Sequence, residues 1–66
     1  MKYSELLRLL LKNGWYKVSK KGSHIKLRHV MNSNTIIFPD HGSREMGKGM
    51  EIKIKKIAGF SLRGHK

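Results

Sequence analysis

Lys20-Lys21-Gly22-Ser23-His24-Ile25-Lys26-Leu27-Arg28 is the stretch that decides the fold. Gly22 supplies the backbone freedom of a tight turn. From His24 onward the residues alternate strictly, with His24, Lys26 and Arg28 on one side and Ile25 and Leu27 on the other. That period of two, continued to His29, is the signature of a β-strand with one face buried and the other in water. Upstream, Trp15-Tyr16-Lys17-Val18-Ser19 is rich in aromatic and β-branched residues and reads as a first strand, with Lys20 to Ser23 as the turn. Downstream, the polar loop Met31-Asn32-Ser33-Asn34 leads to a third short strand, Thr35-Ile36-Ile37-Phe38, which Pro39 ends. The three strands form an antiparallel meander with one apolar face and one basic face.

Helices flank the meander. Ser4 suits an N-cap, Glu5 suits the first turn, and Tyr3, Leu6, Leu7, Leu10 and Leu11 recur at the spacing of one helical face. Leu9 falls off that stripe, and Gly14 stops the helix, which spans about Ser4 to Asn13. Asp40 to Gly49, with its three glycines, reads as a loop. A second helix follows from about Met50 to Ala58, with Met50, Ile54, Ile57 and Ala58 on one face and Ile52 off it. Gly59 ends it, Phe60 is placed to pack back on the last turn, and 61–66 is expected to fray. The order α-β-β-β-α has one economical solution, a two-layer α+β domain over 1–60 with both helices on the apolar face of the three-stranded sheet.

A single domain of 66 residues buries roughly 60% of its unfolded surface, so the core is thin. The absence of cysteine excludes disulfides and thiolate metal sites and fits a reducing cytoplasm. Fifteen Lys and Arg against four Asp and Glu give a net charge of +11, which calls for a polyanionic partner. A membrane is not expected to be that partner. The Leu6–Leu11 run is broken by Arg8 and flanked by Glu5 and Lys12, far short of the ~20 apolar residues of a span. It also lacks the cleavage site of an export signal. The chain therefore reads as soluble and cytoplasmic.

Histidine gives and takes protons near neutrality, and lysine and arginine hold phosphates, so one strand face combines an acid–base group with anion contacts. Any single lysine is by default a solvated charge. As a cluster beside His24, Lys17, Lys20, Lys21, Lys26 and Arg28 are the candidate phosphate contacts. Lys53, Lys55 and Lys56 read as a solvated helix face, Trp15 as a core anchor, and His29, on the parity of Ile25 and Leu27, as a core-edge residue. His65 has no expected role. Four histidines without carboxylate companions at ligand spacing predict no structural metal, and no small-molecule cofactor is expected.

The order Asn13-Gly14-Trp15, Lys21-Gly22-Ser23-His24, Pro39 with His41 shortly after, Gly49, and Ala58-Gly59-Phe60 resembles the HicA toxins, over nearly the whole chain from about Ser4 to Phe60. The resemblance implies a double-stranded-RNA-binding-domain-like fold, metal-independent cleavage of mRNA, and a HicB-type antitoxin that masks the active site. The histidine after Gly-Ser is catalytic in that family, which puts the role on His24. The chain departs from the commonest pattern at Ile25, where a second histidine often follows, and at Glu51 and Lys55, which are often apolar in relatives. In the chemistry so implied, His24 acts as general acid or base while Lys26 and Arg28 hold the phosphate. The second proton carrier is left open among a lysine, His41, a water and the substrate. The alternative is a non-catalytic binder of structured RNA, since such recognition runs mainly through phosphates and 2′-hydroxyls. Against it stands His24, because binding alone needs only lysines there.

Overall fold

A computed structural model describes residues 1–59. The expected packing of Phe60 and the fraying of 61–66 lie outside the described residues. Helix α1 (Tyr3–Lys12) is followed by strands β1 (Trp15–Lys21), β2 (His24–His29) and β3 (Asn32–Pro39), and then by α2 (Lys48–Ala58). The strands form one antiparallel sheet in the order β1-β2-β3, so the architecture is the expected α+β meander flanked by helices.

Ile25 and Leu27 of β2 lie opposite Phe38 and Ile36 of β3, and all four are buried. With Trp15 they make the apolar sheet face, covered by Leu6 and Leu10 of α1, Ile54 of α2, and Met46 from the loop before α2. Both helices therefore lie on this one face and leave the other open. Helix α1 is rolled relative to the simple stripe. Leu9 packs half-buried against the core, whereas Leu11 is 39% exposed. With Leu6 and Leu10 at the centre of the buried arc, Leu9 falls on one flank and Leu7 on the other, and Leu11 lies beyond.

Helix α1 starts one residue early, with Lys2 rather than Ser4 at the N-cap. Its first amides are satisfied from a distance: Tyr3 N donates to Arg44 O (3.1 Å) and Ser4 N to Gly42 O (2.9 Å). Glu5 supplies the local part, its carboxylate accepting the Lys2 amide at 2.7 Å. Loop carbonyls thus replace a capping side chain, a long-range substitution that local sequence signals do not carry. The β1–β2 turn is the two residues Gly22-Ser23, with Gly22 at φ +60, so Lys20 and Lys21 belong to the strand. The turn between β2 and β3 narrows to Val30-Met31, and the polar segment from Asn32 joins β3. Asn32 and Asn34 both donate from Nδ2 to the carbonyl of Ile57, at 3.3 and 3.4 Å, and so tie this hairpin to the end of α2. Helix α2 starts two residues earlier than the apolar stripe suggests, where Gly47 O accepts the Glu51 amide at 3.0 Å.

Candidate functional site

His24, Lys26 and Arg28 are exposed on the open sheet face, opposite in parity to Ile25 and Leu27. The register shows their neighbours. Lys21 lies directly across from His24 on β1, Ser19 across from Lys26 and Tyr16 across from Arg28, while on β3 Pro39 faces His24 and Ile37 faces Lys26. Directly opposed residues share a face, with Cβ atoms about 5 Å apart. Lys21 is thus the cation beside the histidine.

Lys17 and Lys20 fall elsewhere. They lie opposite Leu27 and Ile25, on the helix-side parity, at the free edge of β1, where they remain exposed. Lys17 shares the parity of buried Trp15, whereas Lys20 is moved by a bulge: the register skips Val18, which reverses the parity of every later residue of β1. Without it Lys20 would face with His24 and Lys21 would not. Lys20 is also drawn to the Asp40 carboxylate, 3.5 Å away. The open face is not purely basic, because Tyr16 and Ile37 stand on it at 47% and 53% exposure.

His24 has a second environment. It lines a groove of about 480 Å³ between β3, α2 and the start of α1, together with His41, Tyr3, Pro39 and Lys53. Ile36, Ile54 and Ile57 give the groove an apolar floor, with Met50 at its rim. The Tyr3 ring stands edge-on to both Phe38 (centroids 6.2 Å apart) and His41 (4.9 Å). The residues preceding the two histidines are joined directly, Asp40 N donating to Ser23 O at 2.6 Å. This groove is what sequence reasoning missed, and it draws Lys53, read there as a solvated charge, into the site. His41 carried a signal in its position two residues after Pro39, but its approach to His24 depends on the fold.

The remaining singled-out residues have structural duties. His29 receives the Met31 amide on Nδ1 (2.9 Å) and donates from Nε2 to Asn13 O (2.8 Å), which makes it the neutral Nε2–H tautomer. Its ring meets that of buried Trp15 at 5.2 Å, which places both residues in the structural roles expected for them. Ile25 is fully buried, so an apolar residue suits its place. Lys55 and Glu51 pair at 2.9 Å, which accounts for two charges on a partly buried helix face. The Lys55 ammonium, and after it the Met1 amino group, hold the Glu51 carboxyl below the ordinary carboxylate value. Among the described residues no three His, Asp or Glu side chains are grouped to hold a metal ion, and no helix is long and apolar enough to cross a membrane.

Comparison with known proteins bears on the same segment. The family model described as HicA toxin of bacterial toxin–antitoxin matches residues 3–60. A protein of Pseudomonas fluorescens (strain Pf0-1) named probable mRNA interferase HicA is 44% identical over 60 residues, covering 91% of this chain and 97% of its own length. The match extends from α1 through the His24 hairpin and the groove to α2, and the chain belongs to the HicA toxin family of bacterial toxin–antitoxin systems.

Proposed function

We propose that the protein is a toxin endoribonuclease, an mRNA interferase that cleaves RNA in the cytoplasm without a metal and with His24 as a proton carrier. The observation that supports this most is the placement of His24: exposed, flanked across the strand by Lys21, two residues from Lys26 on the same face, and open to a groove. The RNA 2′-hydroxyl attacks the adjacent phosphorus, and the bond to the 5′-oxygen breaks. The products are a 2′,3′-cyclic phosphate and a 5′-hydroxyl. General acid–base catalysis by a positioned histidine contributes about 10²–10⁴-fold. Lys21, Lys26 and Arg28 hold the phosphate and offset charge on its oxygens in the transition state, and Lys17 and Lys20 extend the cationic path along the outer edge of β1. The relative's name, probable mRNA interferase HicA, supports the same activity and substrate class.

A toxin of this charge needs a silencing partner, and the exposed His24 face is where one would act. A HicB-type antitoxin covers His24 and sets acidic side chains against Lys21, Lys26 and Arg28. Such complementarity speeds association and fixes register. The test of the activity is cleavage of labelled single-stranded RNA in EDTA by the wild type and by His24→Ala, with folding of both checked by circular dichroism. Loss of cleavage in the variant is expected, and full activity in it would refute the assignment. RNA that the wild type shifts on a gel but leaves intact would favour the non-catalytic binder.

A further inference from the structure

Resting on the ribonuclease reading above, we propose that His41 is the second proton carrier of the cleavage, acting in the groove it shares with His24. Transesterification of RNA needs two proton transfers, one from the attacking 2′-hydroxyl and one to the departing 5′-oxygen. The groove holds two histidines, the side-chain type suited to proton transfer near neutral pH. Pro39 pairs with His24 in the sheet. His41 follows two residues later, so its Cα is within about 7 Å of that of Pro39. Both side chains line the one groove, the arrangement that a phosphate flanked by two proton carriers needs.

His41 is also held in place. Tyr3 presses edge-on against its ring at 4.9 Å. The loop that carries it is strapped over the start of α1 by Ser4 N to Gly42 O (2.9 Å), Tyr3 N to Arg44 O (3.1 Å) and Met46 N to Met1 O (2.9 Å). Residues 40–46 are therefore bound at both ends of the histidine, since Asp40 N is bonded to Ser23 O. Across the groove Lys53 of α2 supplies a cation, and the apolar floor beneath accommodates the ribose or base next to the scissile phosphate.

The step balances. One histidine, unprotonated, accepts the 2′-hydroxyl proton as the 2′-oxygen bonds to phosphorus. The other, protonated, donates to the 5′-oxygen as its bond to phosphorus breaks. Solvent then restores both histidines. Such a pair gives a bell-shaped dependence of rate on pH, each limb belonging to one of the two states.

The experiment is single-turnover cleavage of a labelled mRNA transcript from pH 5 to 9 by wild type, His41→Ala, His41→Gln and His24→Ala. Melting curves report on folding, and His41→Gln keeps the side chain's size should the alanine variant fail to fold. The expected result is a rate lowered about 10²-fold or more in the His41 variants, with one limb of the bell lost. A His41 variant within about threefold of wild type, or one slowed with both limbs intact, overturns the proposal. An inactive His24→Ala beside a fully active His41 variant defeats this inference alone. A fully active His24→Ala defeats the His24 mechanism beneath it, and a wild type that leaves the transcript intact defeats the ribonuclease reading itself.

Discussion

Gly14 shows how one residue couples a helix end to the sheet. Its φ is +98, and a Cβ there would stand 2.6 Å from Nε2 of His29, the ring that bonds Asn13 O and packs on Trp15. The Asn13-Gly14-Trp15 run is therefore a packing requirement as well as a helix stop. Gly14→Ala should destabilise the fold by about 1–2 kcal/mol from the backbone alone, with further loss from the displaced ring, read as a lower urea midpoint. An unchanged midpoint would contradict this account of the motif. At the same scale, His24 was legible because a glycine turn and strict alternation place it without help from distant residues. His41 was legible only as a loop residue, since its neighbours Tyr3 and His24 come from two other parts of the chain.

Within elements, the bulge at Val18 is the feature that alternation could not show. A period-two reading carried through β1 reverses the roles of Lys20 and Lys21. Lys21→Ala should therefore weaken RNA binding and lower the slope of log K against log salt by about 1. Lys20→Ala, off the His24 face and drawn toward Asp40, should fall short of that effect in the same titration. Helix α2 makes a separate prediction. Because Glu51 is held below its ordinary value by Lys55 first and the Met1 amino group second, its contribution to stability is complete above the unfolded carboxylate range, near the ordinary 4.5. It is lost as pH falls through the lower folded value. Melting temperatures should drop on acidification through that window, and Glu51→Gln should flatten the drop. The early start of α1 and the reach of β3 back to Asn32 escaped local reading because loop carbonyls and the α2 terminus satisfy those backbone and side-chain groups from afar.

Across the whole molecule, a net charge of +11 sits on a thin two-layer body, so affinity for RNA should be dominated by counterion release. Binding that hardly changed between low and physiological salt would contradict that reading. Stability rests on few buried side chains. Leu10→Ala, at the centre of the α1 contact, should cost about 2–5 kcal/mol, measured by denaturant unfolding. The architecture itself was legible because alternation in His24–His29 and the leucine stripe of α1 leave little choice about which faces meet. The groove was not, because its walls are contributed by β3, α2 and the start of α1 together. The central claim is metal-free transesterification at His24, and the ends of the cleaved RNA test it most directly. Mass spectrometry of fragments produced in EDTA should find 2′,3′-cyclic phosphate and 5′-hydroxyl ends, absent with His24→Ala. Fragments bearing 5′-phosphate and 3′-hydroxyl ends would contradict it.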